Sequence, residues 1–136
     1  MKKYYIGLMS GTSCDGIDCA LVRIEKSTIE LIDTHFSRFP PELRQNILDL
    51  CEPGANAIER LGRCDVELGQ QYARSVQQLL NKTRVSQHSI RAIGCHGQTI
   101  RHRPKQDVPF TLQIGDPNTL AALTQIDTVA DFRRRD

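Results

Sequence analysis

The sequence predicts an α/β fold in which a mixed five-stranded sheet carries helices on its faces. Three observations support this prediction. The first 39 residues contain three strand-like apolar runs separated by short polar turns. Two segments follow in which apolar residues recur at every third or fourth position, as on one face of a helix. Alternating strand and helix patterns then fill the remainder, and such crossovers join parallel strands.

The first three strands are predicted at residues 4–10, 17–25 and 28–39. The loop between the first two is short, so they should pair antiparallel. The second strand carries apolar side chains on both faces, which is typical of a central strand. The third has weaker alternation and more polar residues, which indicates an edge strand.

Two helices should follow these strands. Pro41 suits the first turn of a helix, which is predicted over residues 41–51. A longer helix is predicted over residues 56–82, with an apolar stripe that begins at Ile58. Gly62 and Gly69 lie near this stripe, and we expect them to allow close packing on the sheet.

The sequence pattern of the last part of the chain predicts a strand, a hairpin arm, a helix and a final strand. The fourth strand is predicted at residues 89–96, and residues 110–115 should return beside the segment that leaves it. Asp116 is expected to cap a helix that begins at Pro117. A last strand begins at residue 127. This order of elements is that of a ribonuclease-H-like lobe.

Composition sets limits on the class of protein. A chain of 136 residues with 39% hydrophobic residues has the size of one domain and can bury a core. Its net charge of +2 gives no argument for a nucleic-acid or membrane partner. No stretch is long enough to span a bilayer. The five cysteines are odd in number and lack CxxC spacing, which indicates reduced thiols in a cytoplasmic protein.

The stretch GLMSGTSCDGID, residues 7–18, crowds small polar residues between two strands. Gly11 and Gly16 are expected to take positive φ and to let a ligand approach the backbone closely. Consecutive main-chain amides in such a turn can form an anion-binding nest, to which the hydroxyls of Ser10, Thr12 and Ser13 add donors. This is not a Walker A loop, because no lysine follows and a strand stands where a helix should begin. From composition alone, a plain polar hairpin turn fits equally well.

Further candidate site residues lie near predicted strand ends and at the end of the sequence. They are His96 and Gln98 in GCHGQT, Asp116 in IGDP, and Asp131, Arg133 and Arg134 in ADFRRRD. Each has an ordinary structural alternative. A loop histidine can bond to backbone, an aspartate at a helix start is a preferred cap, and a charge run is usually solvated.

Four blocks of the sequence together resemble one family. IGLMSGTSCDGID, AIGCHGQTIRHRP, TLQIGDPNTLAALT and VADFRRRD resemble, in this order, the N-terminal part of the anhydro-N-acetylmuramic acid kinases. That family belongs to the superfamily of sugar kinases and actin-like ATPases. The resemblance implies two ribonuclease-H-like lobes, of which residues 1–136 form the N-terminal one and the second is absent. Cys14 stands where the family often has leucine.

The resemblance implies a site for ATP and Mg²⁺ in the first turn. The residues expected to bind ATP are Gly11, Thr12, Ser13, Cys14, Asp15, Gly16, Ile17 and Asp18. Asp15 and Asp18 would hold Mg²⁺ through water, since carboxylates suit that ion and would repel a phosphate. The residues expected to face the sugar are His96, Gln98, Asp116, Asp131, Arg133 and Arg134.

The implied reaction opens the 1,6-anhydro ring of anhydro-N-acetylmuramic acid, an amino sugar, and phosphorylates O6. The products would be N-acetylmuramate 6-phosphate and ADP, in peptidoglycan recycling. The base that activates water lies, in this family, in a GFDTGP-like segment further along. No catalytic residue is therefore expected in these 136 residues, which should be inactive alone, and the full-length protein is expected to be a homodimer.

Two other classes of function stay open. A ribonuclease-H-type, metal-dependent nuclease needs several carboxylates on strands around two metals. The predicted first strand has none. A non-catalytic binding or assembly module could also carry a small hydroxyl-rich turn.

Overall fold

The structure is a computed structural model that describes residues 3–135, so that Met1, Lys2 and Asp136 lie outside the described part. Its strands are β1 (Tyr4–Ser10), β2 (Gly16–Glu25), β3 (Thr28–Arg38), β4 (Ile90–Arg103), β5 (Phe110–Ile114) and β6 (Thr128–Ala130). Its α-helices are α1 (Pro41–Leu50), α2 (Ala57–Thr83) and α3 (Pro117–Thr124), with a 3₁₀ turn at Gln87–Ser89 before β4.

The strands form one mixed sheet whose core order is β3-β2-β1-β4-β6. The first three strands are antiparallel, and β4 runs parallel to both β1 and β6. This is the order of a ribonuclease-H-like lobe, and the prediction of that fold is confirmed. The edge position of β3 and the inner position of β2 are also as predicted.

The sheet has six described strands, one more than predicted, because β4 does not end at His96. Its first half pairs with β1 and β6, and its second half pairs with β5 as a hairpin. The change of partner coincides with Gly97, which has a φ of +79°. An added Cβ there would lie 2.6 Å from the Ile114 carbonyl oxygen, so only glycine fits.

The described helices cover one face of the sheet. Inward side chains alternate along β1 and β2, and those of Ile6, Leu8 and Leu21 join the apolar residues of the three helices in one buried cluster. The opposite face is partly open, since Met9 and Phe36 are 41% and 49% exposed. Helices are therefore present on one face within residues 3–135, and not on both as the sequence had suggested.

The long helix α2 carries the central part of this core. Its predicted stripe is buried from Cys64 to Leu79, but Ile58 is 86% exposed and lies outside the core. Gly69 faces α3 and not the sheet, because an added Cβ would lie 2.8 Å from the Asp116 carbonyl oxygen. Among the helices of residues 3–135, none has the length and apolar character needed to cross a membrane.

Candidate functional site

The carboxyl ends of β1 and β6 lie on either side of the middle of β4, which continues past them as far as Arg103. These strands run parallel, with Leu8 opposite Cys95 and with β6 on the far side of β4. Just beyond lie residues 11–16 after β1, His96 within β4 and residues 131–135 after β6. Ligands of α/β sheets bind outside the carboxyl ends of strands. The fold thus brings to one edge segments that are far apart in sequence.

The 11–16 turn begins with a tight reversal. The Cys14 amide donates to the Gly11 carbonyl oxygen at 3.1 Å, which closes a four-residue turn. The residue in the left-handed region is Cys14, with a φ of 55°. The expectation that Gly11 and Gly16 take positive φ is therefore wrong, since neither is among the positive-φ glycines.

The two glycines of the turn have different steric surroundings. An added Cβ on Gly16 would lie 2.1 Å from the Ser37 carbonyl oxygen, because β3 passes close beside the start of β2. An added Cβ on Gly11 would meet no atom within 4 Å. Gly16 is therefore required by strand packing, whereas Gly11 leaves open space at the surface of the turn.

Several hydrogen-bond donors of the turn have no partner among the described residues. The main-chain amides of Thr12, Ser13 and Asp15 make no hydrogen bond within residues 3–135, nor do the hydroxyls of Thr12 and Ser13. Both hydroxyl residues are exposed. The side chains of Cys14 and Ile17 are buried, so their contribution to a ligand would come from the main chain. Unpaired amides gathered in one turn are suited to bind an anion such as a phosphate.

The two aspartates predicted to hold Mg²⁺ have different environments. Asp15 lies 3.9 Å from Arg44 of α1, and the carboxylate is mostly exposed. Asp18 lines an open cavity of about 460 Å³ on the uncovered face of the sheet, together with Met9 and Phe36. The described part of the chain contains no cluster of three metal-ligating side chains. One or two carboxylates beside a substrate phosphate nevertheless fit Mg²⁺, which keeps most of its waters.

Two buried polar contacts support the turn from beneath. The Ser10 hydroxyl and the Tyr72 hydroxyl of α2 are hydrogen-bonded at 2.8 Å, both buried. The expectation that the Ser10 hydroxyl donates to a ligand is therefore wrong. The Gln98 side chain donates to the Gly11 carbonyl oxygen at 3.1 Å and has no exposed surface. Gln98 was predicted to face the sugar, but here its amide faces the turn.

His96 and Arg133 are in direct contact. The His96 ring donates through Nδ1 to the Gly97 carbonyl oxygen at 3.0 Å, which leaves Nε2 to accept from the Arg133 guanidinium at 2.7 Å. The Phe132 ring meets His96 edge-on, with centroids 6.4 Å apart. The ring is thus held between a main-chain carbonyl and a guanidinium group.

The other predicted sugar residues take separate positions. His96, Asp131 and Arg134 line one cavity of about 250 Å³. Arg133 lines an adjoining cavity of about 250 Å³, which it shares with Arg134. Asp116 caps α3 as predicted, and its carboxylate accepts from the Asn118 amide. Arg134 lies 3.6 Å from the Asp131 carboxylate, and the guanidinium groups of this region are of the kind that binds a substrate carboxylate.

Sequence reasoning missed Asp65 of α2. Its carboxylate accepts a 2.7 Å hydrogen bond from the Gly115 amide, and it lines the same cavity as His96 and Arg134. Burial raises the pKa of this carboxyl, against the opposing effect of the Gly115 hydrogen bond. The available signal was an acidic residue directly beside the apolar stripe of α2.

The five cysteines are free thiols, as predicted. Cys95 lies next to His96 but is buried, and burial raises the pKa of its thiol to about 11. Such a thiol is a small apolar side chain at neutral pH and a poor nucleophile.

Comparison with known proteins identifies relatives over the whole chain. The sequence profile of the anhydro-N-acetylmuramic acid kinases matches residues 3–136. Proteins named anhydro-N-acetylmuramic acid kinase from Shewanella loihica and Saccharophagus degradans are each 53% identical over 135 residues. The alignments cover 99% and 97% of this chain, but 37% and 36% of those relatives. The chain therefore spans little more than a third of the relatives' length.

Among solved structures, Thermus thermophilus RuvC aligns with 94% of this chain and with 63% of its own chain. The sequence identity is 13% and the TM-score is 0.38.

Proposed function

Because the chain belongs to the anhydro-N-acetylmuramic acid kinase family, we propose that it forms the phosphate-binding lobe of an ATP-dependent sugar kinase. The observation that carries this proposal is the 11–16 turn, whose amides at Thr12, Ser13 and Asp15 lack partners within residues 3–135. By "the whole protein" we mean a protein of the relatives' length that carries this chain.

In the proposed reaction, water attacks C1 of anhydro-N-acetylmuramic acid and the bond between C1 and the bridging O6 breaks. O6 attacks the γ-phosphorus of ATP, whose bond to the ADP oxygen breaks. The proton lost by water passes to a base from the part of the protein beyond this sequence. The products are N-acetylmuramate 6-phosphate and ADP.

The role of the turn is to bind the phosphates and to neutralise their charge. Its free amides and the hydroxyls of Thr12 and Ser13 donate hydrogen bonds to phosphate oxygens, as in other phosphoryl-transfer sites. Asp18, and Asp15 three positions before it, would hold the waters of Mg²⁺. When bound, Mg²⁺ supplies further positive charge at the transferring phosphoryl group.

The role of Arg133 and Arg134 is to bind the sugar. The lactyl ether of the substrate carries a carboxylate, for which a guanidinium is a good partner. Arg133 and Arg134 supply two guanidinium groups near the carboxyl edge of the sheet, and His96 contacts the first of them. We further propose that the whole protein is cytoplasmic and forms a homodimer. Light scattering on the purified protein would test the oligomeric state.

The nuclease alternative receives no support from an observation in this structure. β1 contains no acidic residue, and the described residues contain no cluster of three potential metal ligands. Ribonuclease-H-type cleavage needs such a cluster.

The proposal is tested by ADP release from the whole protein with Mg²⁺, ATP and anhydro-N-acetylmuramic acid. We expect release that depends on the sugar, and none from residues 1–136 alone. Gly11→Val should raise the KM for ATP at least about tenfold, because its side chain would enter the open space at the turn. Gly62→Ala is the control, since its added Cβ on α2 also meets no atom. Sugar-independent ADP release, or an unchanged KM in Gly11→Val, would contradict the proposal.

A further inference from the structure

Gln98 lies directly beneath the 11–16 turn. It pairs with Ser10 of β1 on one side and with Ile114 of β5 on the other, at the point where β4 changes partner. Its side chain has no exposed surface, although it ends in a polar amide. A buried polar amide needs a physical explanation, and this one lies where β4 changes its partner strand, beneath the 11–16 turn.

The donors of this amide are directed at the turn. Nε2 lies 3.1 Å from the Gly11 carbonyl oxygen and 3.6 Å from Cys14 Sγ, with a third contact of 3.3 Å to the Thr99 carbonyl oxygen. The Gly11 carbonyl also accepts from the Cys14 amide, which closes the reversal. Gln98 thus contacts both ends of the four-residue reversal at once.

The acceptor of the same amide is unused. Gln98 Oε1 is buried and has no hydrogen-bond partner among the described residues. An unpaired buried acceptor destabilises a fold, whereas an apolar side chain of the same length would avoid that cost. Core packing alone therefore does not explain an amide here, but its hydrogen bond to the Gly11 carbonyl does.

We propose that Gln98 is a positioning residue for the 11–16 turn and is not a ligand of the sugar. It fixes the Gly11 carbonyl and the left-handed Cys14, and thereby sets the direction of the amides between and after them. This inference rests on the proposed phosphate-binding role of the turn. It departs from the expectation, based on family resemblance, that Gln98 faces the sugar.

The first test is Gln98→Met in the whole protein, with Gln78→Met as the matched control. Methionine has a similar length, removes the donors and also removes the unpaired acceptor. The Gly11 carbonyl retains its bond from Cys14. Gln78 bonds to the side chains of His35 and Ser37 on β3 and makes no hydrogen bond to residues 11–16.

We expect Gln98→Met to lower kcat/KM for ATP about tenfold, with the KM for the sugar and the thermal midpoint almost unchanged. One lost hydrogen bond to a positioned group is typically worth about one tenfold step or less. The control should keep kcat/KM within about twofold. A merely structural role would lower the midpoint and leave the ATP constants of the folded fraction unchanged.

The second test is Gln98→Glu, which serves also where the methionine variant does not fold. A protonated glutamic acid can donate to the Gly11 carbonyl, whereas an ionised one faces it with a repelling oxygen. Burial raises the pKa of such a carboxyl. The ratio of the KM for ATP of Gln98→Glu to that of the unsubstituted protein should therefore fall toward one as the pH is lowered from about 8 to about 5.5.

Three outcomes are distinguishable. If the unsubstituted protein fails to bind MgATP in a calorimetric titration, the proposed function is wrong. If it binds but Gln98→Met leaves kcat/KM for ATP within about twofold and Gln98→Glu shows no pH-dependent rescue, the inference is overturned. A rise in the KM for the sugar alone would instead make Gln98 a sugar ligand, which also overturns it.

Discussion

Gly16→Ala is expected to destabilise the sheet where β2 begins. The added methyl carbon would lie 2.1 Å from the Ser37 carbonyl oxygen and 2.8 Å from the Phe36 ring. The φ of Gly16 is not in the left-handed region, so the effect is steric and not conformational. A ring can rotate away, but a carbonyl within a strand moves only with its strand.

The size of the effect follows from this displacement. Cβ atoms essentially never approach other heavy atoms more closely than 3.0 Å, so β3 must move by about 0.9 Å. Overpacking of this kind costs about 1–3 kcal/mol. The movement also stretches backbone hydrogen bonds between β3 and the start of β2, such as the 3.3 Å bond from the Phe39 amide to the Asp15 carbonyl oxygen, each worth about 0.5–1.5 kcal/mol. We expect a loss of about 2–3 kcal/mol in the free energy of unfolding, because the stretch is partial.

Thermal unfolding of the whole protein measures this loss, with Gly11→Ala as the matched control. At about 2–4 °C per kcal/mol for larger domains, Gly16→Ala should lower the midpoint of the transition that unfolds this lobe by about 4–12 °C. Gly11→Ala places its methyl group in open space and should shift the free energy of unfolding by less than about 1 kcal/mol.

The steric reasoning fails if the two alanine variants unfold at the same temperature. It also fails if Gly11→Ala is the less stable of the two, because the requirement for glycine would then lie in the reversal and not in the approach of β3.

Three further predictions concern single groups. Tyr72→Phe should lower the free energy of unfolding by about 1–2 kcal/mol, because it leaves the buried Ser10 hydroxyl unpaired. Adding Ser10→Ala to this variant should restore part of that free energy, as denaturant unfolding can measure. The hydrogen bond from the Thr119 hydroxyl holds the pKa of Asp116 below its usual value. The stability from this cap is therefore present above about pH 4 and is lost as the pH falls through the lowered pKa, and Asp116→Asn should remove that part of the acid sensitivity. Among the thiols, half-buried Cys51 should be alkylated first by iodoacetamide at pH 8. Cys19, whose pKa is raised to about 12 by burial, should be alkylated only when the protein unfolds. Mass spectrometry can follow both reactions.

The elements predicted best from sequence are those whose pattern is set by their own neighbours. Alternating apolar residues specify β1 and β2, and the cap at Asp116 specifies the start of α3. The length of β4 could not be predicted in this way. Its second half is a strand because β5 returns beside it, and that pairing depends on a kink at Gly97.

The site shows the same division between local and distant causes. The position of the turn was predictable from its composition, but the reasons for its glycines were not. Gly16 is required by Ser37, which lies 21 positions further along, and the left-handed residue is Cys14, which has no intrinsic preference for that conformation. The burial of Gln98 likewise depends on two strand pairings that no local pattern reveals.

Helix α2 links the two halves of the candidate site. Asp65 and Tyr72 are seven residues apart and therefore lie on the same face of the helix, two turns from each other. Tyr72 bonds to Ser10 beneath the 11–16 turn, while Asp65 holds the Gly115 amide on the side of the cavity with His96. The Tyr72 ring also lies close against Gly115, where an added Cβ would meet it at 2.4 Å. A shift of this helix would therefore displace both the proposed phosphate site and the proposed sugar site. Their relative geometry is consequently fixed by one rigid element and not by the loops that carry the ligand-binding groups.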